Sequence, residues 1–427
     1  MANSYLSRTP SSAGNRRTFT LSAWIKGHNA DAVGSGYFFT ADVSGGSNID
    51  AIGITASGLQ VSVNSANSGA LNSTRLFRDM NAWYHIVWAV DTTQATASNR
   101  MKVYLNGEQM TDWDTETYPT QNYDFAINGT TEHNVSYRSG LVQGYMSHVA
   151  FVDGTALTPT SFGETDSTSG IWKFKSPSGL SWGTNGFHLK FENSGNLGLD
   201  SSGQTNNYTV NGDLKQALDT PSNVYATINP LYNVTTYNGS KLSNGNLTAA
   251  SSTNYKGNIL STLGASQGKW YWEVKCDSGG QNGIGVSNDQ ISLNSWSPSS
   301  GNYVIWHYGG DIRRPSGTTA SGTTYTAGDI IGVAWNADDA EVTFYKNGTA
   351  INSGTAYSVE GTQGTMFASL SDVNTGDNPT ASMNFGNGYF GTTAISSAGS
   401  NGNGSLFEYD VPSGYYALNT KNINTYG

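Results

Sequence analysis

One cysteine, Cys276, stands in a chain of 427 residues. An internal disulfide framework and a multi-cysteine zinc site are therefore both excluded. Charged residues make up only 12% of the chain. The Ala, Leu, Glu and Lys enrichment that long helices favour is missing. No apolar run approaches the length of a membrane span, so membrane insertion is not expected. No basic stretch followed by an apolar one follows Met1, so a Sec-type signal peptide is not expected, and synthesis in a cytoplasm is. Lys and Arg number 21 against 31 Asp and Glu, a net charge of −10, with no dense basic stripe. A nucleic-acid partner, which needs cations to neutralise phosphates, is not expected either.

What is abundant is glycine, 52 residues, with Tyr, Asn, Ser and Thr over-used. Short strands joined by Gly/Asn turns fit that usage. The length exceeds what one ordinary core accommodates, so two or three domains are expected. The predicted class is all-β: two jelly-roll-type antiparallel β-sandwiches in tandem.

Two stretches carry that expectation. "WYHIVWAVDTTQATASNRMKVYLNG" (83–107) and "GDIIGVAWNADDAEVTFYKNG" (328–348) each begin with an apolar run containing Trp. Each breaks at a polar turn, resumes with alternating residues and closes on Asn-Gly, whose positive φ suits a tight hairpin. Convergence on the same turn chemistry accounts for the likeness, since no wider duplication is visible. In "RRTFTLSAWIKG" (16–27), Phe19, Leu21, Ala23 and Ile25 alternate with polar neighbours, predicting a strand with one buried face. Similar runs continue to "NGFHLKFEN" and resume at "GKWYWEVKC" (268–276). Helical signals are two: Thr158 with Pro159 in "LTPTSFGE", and Asp213 with Pro221 ending "GDLKQALDTP". The expected organisation is 1–210 for the first sandwich, 211–230 for a connector, and 231–427 for the second sandwich with a C-terminal extension. The connector's Val224, Tyr225, Ile228 and Leu231 favour docking over free flexibility.

Several motifs point to families. "FTLSAWIKG", "WYHIVWAVDTT" and "MKVYLNGEQM" resemble a laminin-G-like, concanavalin A-like jelly roll. "GKWYWEVKC", "GIGVSN", the 328–348 hairpin and "ASMNFGNG" occur in SPRY order and resemble that domain. "YLSRTPSSAGNRRTFTLSAWIK", "DGTALTPTSFGETDSTSGIW", "GTNGFHLKFENSGNLGLDSSGQTNNYTVNGD", "DTPSNVYATINPL" and "PSGYYALNTKNI" resemble stretches of structural proteins of tailed phages, notably marine ones. That last resemblance implies a virion component: a capsid decoration, head fibre or tail-associated appendage. Other capsid or tail proteins would be its partners, and repetition on a symmetric particle would make it a homo-oligomer. The polar N-terminal stretch with Arg16 and Arg17 either docks on an acidic partner or packs on its own jelly roll.

Catalysis leaves few traces. Glycan hydrolases of the concanavalin type need two carboxylates flanking the scissile bond, and no Glu-x-Asp-x-x-Glu occurs. Asp112, Asp114 and Glu116 in "DWDTETY" alternate, as a solvated strand face does. His85, His148 and His188 each alternate with large apolar neighbours, as outward-facing or hydrogen-bonded core histidines do. Metal-ligand pairs, a nucleophile elbow and a phosphate loop are missing. Calcium would need loop oxygens such as Asp42, Asn48, Asp50, Asp200 and Asn206, but these residue types also simply make turns. No cofactor or metal is assigned.

Binding is better marked. "WSPSSGNYVIWHYGGDIRRP" (296–315) gathers Trp296, Tyr303, Trp306, His307, Tyr308, Arg313 and Arg314. Tyr, Trp and Arg dominate recognition surfaces, and the SPRY resemblance implies that loops at this end bind protein or peptide. Alternation requires some of these rings to be core, either Tyr303/Ile305/His307 or Val304/Trp306/Tyr308. The expected ligand-binding set is Trp296, Trp306, His307, Tyr308, Arg313 and Arg314. The expected function is non-enzymatic attachment to a host-surface glycan or protein. The alternative is a carbohydrate-binding module or glycan-active enzyme.

Overall fold

The computed structural model of the chain describes residues 4–27, 36–42, 48–55, 57–79, 81–136, 144–232, 241–251, 257–279, 282–291, 300–361, 364–372 and 378–427. The chain divides into two compact units, Met1–Gln216 and Ala217–Gly427. Both are all-β, and among the described residues their named strands pair antiparallel apart from Lys269–Ser278 with Tyr416–Ala417.

Among the described residues, the first unit carries an eight-stranded and a six-stranded sheet. The larger runs Trp113–Thr117, Gly69–Ser73, Gly58–Val63, Ile49–Thr55, Tyr37–Asp42, Glu132–Val135, Tyr5–Arg8, Thr209–Asn211. The smaller runs Phe187–Leu189, Tyr145–Asp153, Thr18–Lys26, Trp83–Asp91, Met101–Leu105, Glu108–Gln109. One hydrophobic cluster joins their inner faces: Leu6, Phe39, Ile52, Val61 and Leu71 from the first, Leu21, Trp88, Val103 and Phe151 from the second. The predicted alternation places Phe19, Leu21, Ala23 and Ile25 in this core.

The period-two pattern predicts a solvated opposite face for Thr18–Lys26, and the structure corrects this. Thr20, Ser22, Trp24 and Lys26 are buried too. The chain between 155 and 182 forms a third layer over the six-stranded sheet, where Phe162, Leu157, Leu180 and Trp182 pack on Val87, Ala150 and Val152.

The N-terminal stretch is built into its own sandwich. Tyr5–Arg8 is inserted between Glu132–Val135 and Thr209–Asn211. Arg16 Nε donates to Phe125 O at 2.5 Å, and Arg17 Nε lies 2.8 Å from Asp124 Oδ1.

In the second unit, one sheet runs Lys241–Ser243, Thr248–Ala250, Thr380–Asn384, Lys269–Ser278, Ile330–Asn336, Glu341–Lys346, Thr349–Ala350. The other runs Gly257–Ala265, Met366–Asp372, Asn282–Asn288, Tyr303–His307, Asp311–Arg314, Gly317–Ala320. Trp272, Val274, Val333 and Phe344 from the first meet Ile259, Ile284, Val304, Trp306 and Leu370 from the second. Residues 217–232 run along this unit: Tyr225, Ala226 and Ile228 enter its core, and Leu231 is exposed.

The two Asn-Gly hairpins are the same device. Asn106 and Gly107 have φ of 48° and 89°, Asn347 and Gly348 of 48° and 78°. Each Asn side chain accepts a backbone N–H of the partner strand, His85 N and Ile330 N, both at 2.8 Å. Each glycine also lies under an aromatic ring: a Cβ on Gly107 would come 2.6 Å from Trp172, one on Gly348 2.6 Å from Tyr409. Only glycine supplies both the positive φ and that close approach.

Of the two helical signals, Thr158-Pro159 opens a 3-10 turn, Pro159–Ser161. Asp213–Pro221 forms no helix. Leu214 packs against the first core and Leu218 against the second. The α-helix that does form, Thr420–Tyr426, is capped by the Asn419 side chain accepting Asn422 N. Its Asn-x-x-Asn spacing was a readable N-cap signal.

Candidate functional site

The aromatic and arginine segment forms a hairpin, Tyr303–His307 and Asp311–Arg314, with Ile305 opposite Arg313 and Trp306 opposite Ile312. Trp306 is fully buried. Its Nε1 donates to Thr323 O at 3.2 Å, and its ring meets Tyr325 and Phe344 edge-on or tilted. It is a core residue, correcting its assignment to the ligand-binding set. Both alternative faces turn out to be covered: Val304 and Trp306 face the main core, while Tyr303 and Ile305 join Leu260, Ile291 and Phe367 in a smaller cluster on the other side of the sheet. Trp296 lies outside the described residues.

The other four expected residues remain near the surface. His307 and Tyr308 are half-buried, with ring centroids 4.4 Å apart. Burial, reinforced by Arg313, pushes the His307 imidazole down to about 4, so it is neutral at physiological pH. Arg313 Nη2 is 3.7 Å from Asp311, and Arg314 Nη1 is 3.9 Å from Glu360. Glu360 also accepts Ser316 N at 3.0 Å, pinning the turn after the arginines. Successive residues of a strand point to opposite faces, so Arg313 and Arg314 do not converge on one ligand atom. The patch offers aromatic edges and ion-paired guanidiniums. Such groups recognise an acidic or aromatic contact and do not form a nucleophile–base pair.

Asp114 and Glu116 lie on the edge strand of the eight-stranded sheet, where the register shifts between Trp113 and Thr115, and Asp112 immediately precedes it. Arg75 holds Asp112 at 3.1 Å, and the Tyr118 hydroxyl donates to Glu116 at 2.7 Å. Two of these three carboxylates are thus already engaged.

The acids expected to offer oxygens to calcium organise backbone instead. Asp50 accepts Asn64 N, Ala126 N and Ile127 N at 2.8, 2.5 and 3.2 Å. Asp200 accepts His188 N, Ser202 N and Asn206 N. Among the described residues, no group of three His, Cys, Asp or Glu is placed to hold a metal ion.

Three histidines of the first unit, His85, His148 and His188, occupy the interface between the six-stranded sheet and its third layer. His85 is sandwiched between Trp24 and Trp172 at 4.6 and 5.9 Å. Its Nδ1 accepts from Trp172 Nε1 at 2.9 Å, and its Nε2 lies 2.8 Å from Ser22 Oγ. His148 Nδ1 is 3.3 Å from His188 Nε2, with Phe174 stacked on the first and Trp182 on the second. Burial drives these imidazoles down, His85 and His148 to about 3 and His188 to about 4. They are neutral packing groups.

Glu273 is the corresponding buried group of the second unit. Its carboxylate accepts Glu408 N and Tyr409 N, each at 2.9 Å, and lies 3.3 Å from Asn384 Nδ2 and from the Tyr271 hydroxyl. It fastens the C-terminal extension across the outer face of the sheet, where Phe407 meets Tyr271 edge-on at 5.0 Å. Burial raises its carboxyl to about 7, and the hydrogen bonds offset part of that shift. Cys276 is buried, which pushes its thiol up to about 12, away from nucleophilic use.

Comparison with known families agrees with this geometry. The SPRY domain family matches residues 269–387, and the concanavalin A-like lectin/glucanases superfamily matches residues 2–161. A concanavalin-like domain and a SPRY domain are thus present in one chain. Solved structures similar to the chain include the SPRY domain of human HERC1, at 15% identity over 36% of this chain and 96% of that one, with a TM-score of 0.32. Stonustoxin is similar at 17% identity over 37% and 27%, TM-score 0.30. A human SPRY domain is similar at 19% over 32% and 90%, TM-score 0.25. Curated protein sequences offer no match.

Proposed function

We propose that the chain is a non-enzymatic structural component of a tailed-phage virion, a capsid decoration, head fibre or tail-associated appendage that presents its two sandwiches for attachment to a host-surface glycan or protein. The observation that carries this reading is where the phage-like segments fall. Tyr5–Arg8 is an interior strand of the first unit, Gly163–Thr165 pairs with Trp172–Phe174 in its third layer, and Tyr416–Ala417 with the Thr420–Tyr426 helix closes the second. The resemblance therefore runs through both folds and is not confined to detachable tails. A concanavalin-like and a SPRY domain in tandem suit binding, and Asp112 and Glu116, before and on the Trp113–Thr117 edge, are occupied by Arg75 and Tyr118. Shallow surfaces bind weakly alone, and repetition on a particle turns later contacts into intramolecular ones. His307, Tyr308, Arg313 and Arg314 are the partly exposed candidates for contact in the second unit.

Antibody against the purified chain is expected to label purified particles at symmetric positions. Particles carrying Tyr308→Ala with Arg313→Ala are expected to incorporate the chain and adsorb to host more slowly. Unlabelled particles would remove the virion assignment. Release of reducing ends from a glycan by the purified chain, abolished by Asp114→Asn or Glu116→Gln, would replace attachment with catalysis.

A further inference from the structure

After Phe187–Leu189 the chain makes a polar loop, "KFENSGNLGLDS" (190–201). A cleft of about 170 Å³ opens there, lined by Phe191, Glu192, Asn193, Asn196, Leu199 and Ser201. No motif or family match assigns it a role, since the concanavalin-like match ends at residue 161. The loop is held firmly. Leu197 is buried, Ser201 N donates to His188 O at 2.9 Å, and Leu189 bridges to Asp200. Phe191 adopts a φ of 61°, a conformation uncommon for a bulky residue. Its carbonyl accepts Gln216 Nε2 at 2.7 Å, and its ring is partly buried against the core.

The polar groups are set in a definite way. Asn193 Oδ1 accepts Gly195 N at 2.9 Å and Asn196 Oδ1 accepts Gly198 N at 3.1 Å. Each amide is thus fixed by its oxygen, which leaves its NH2 group as a donor for something outside the loop. Glu192 supplies acceptors, with Lys190 Nζ 3.8 Å away, and Leu199 adds exposed apolar surface. Oriented amide donors, a carboxylate, a hydroxyl and apolar surface match a polyhydroxylated ring, which presents both hydroxyls and a C–H face. The one charged lining residue, Glu192, pairs with Lys190, so the lining itself offers no cation for an anionic sugar. The volume is below the roughly 300 Å³ where drug-sized pockets begin, which suits a single ring.

We infer that this cleft binds one neutral monosaccharide unit of a glycan, with Asn193 and Asn196 donating to ring hydroxyls and Phe191 and Leu199 contacting the C–H face. This rests on the reading of the chain as a binding protein and supplies that reading with a site in the first unit. The test is saturation-transfer NMR on the full chain with millimolar methyl glycosides of glucose, galactose, mannose and N-acetylglucosamine, and a methyl sialoside as the anionic probe. At least one neutral glycoside is expected to receive saturation, and the sialoside none. Asn193→Asp and Asn196→Asp keep the oxygens that cap Gly195 and Gly198 while removing the donors, so the fold persists. Each is expected to weaken binding about tenfold, the equivalent of one lost hydrogen bond. Leu199→Glu is expected to abolish it, and Arg313→Ala to leave it unchanged. No transfer to any neutral glycoside, or transfer indifferent to all three cleft variants, would overturn the site; sialoside binding alone would overturn the ligand class. Particle labelling is a separate measurement, so the virion assignment stands or falls independently of these outcomes.

Discussion

Replacing Glu273 by glutamine tests the second unit's third layer most directly. The carboxyl is fully buried on Lys269–Ser278 and raised from 4.5 to about 7 by desolvation. A carboxyl whose folded pKa lies above its unfolded value is held more tightly as the acid in the native state. Its contribution is therefore complete below pH 4.5 and is lost as pH rises to 7. At about 1.4 kcal/mol per pH unit the loss is about 3 kcal/mol. The glutamine side chain of the Glu273→Gln variant does not titrate. It keeps one acceptor for the two N–H groups of Glu408 and Tyr409 and leaves the other donor facing an amide, a constant offset of about 1–3 kcal/mol. The stability of Glu273→Gln relative to wild type is thus expected to rise by about 3 kcal/mol between about pH 4.5 and about pH 8, whatever the offset. Urea unfolding of the full chain followed by tryptophan fluorescence measures this, because other titrating groups cancel in the difference. A wild-type-minus-variant difference that stays flat across that range would refute the burial and the clamp with it.

Further outcomes follow from other buried groups. His85, His148 and His188 have pKa values below their unfolded value of 6.5, so the unfolded chain takes protons first and the first unit loses stability as pH falls from about 6.5 towards about 4. Imidazole NMR signals of the folded chain should show none of the three titrating above about pH 5; a midpoint near the ordinary value of about 6.5 for any of them would contradict its packing. Trp306→Ala should cost about 3–5 kcal/mol of stability in a chemical melt, as core aromatic truncations do; a change below about 1 kcal/mol would return this ring to the surface. Gly285→Ala should also destabilise, by about 1–3 kcal/mol or more, because its Cβ would come 2.0 Å from Val304 O; an unchanged melting temperature would contradict the strand pairing there.

Much of the local structure was legible. The period-two run from Phe19 to Ile25 named a core face, and both Asn-Gly pairs announced their turns through the positive φ that Asn and Gly tolerate. The SPRY and concanavalin-like motifs were readable because a hairpin's chemistry is contiguous in sequence. The candidate site was less so. Alternation in "YVIWHY" showed that Tyr303, Ile305 and His307 share one face and Val304, Trp306 and Tyr308 the other, but both faces proved largely covered, which removed Trp306 from the surface. The cleft around Phe191 carried no motif, because its lining comes from an irregular loop whose amides are aimed by backbone contacts that only the folded loop makes.

Pattern and composition by themselves determined that this chain is all-β, where its tight turns lie and which residues share a strand face. Tertiary structure decided what covers those faces. In the first unit residues 155–182 lie over His85, with Trp172 above Gly107. In the second the C-terminal extension lies over Glu273, with Tyr409 above Gly348. Neither cover is a sequence neighbour of the strand that carries His85 or Glu273, and strand periodicity is a local property that records only which way a side chain points. Whether that side meets water or another layer depends on a distant segment returning to it, and the same choice fixes whether His85 and Glu273 are charged.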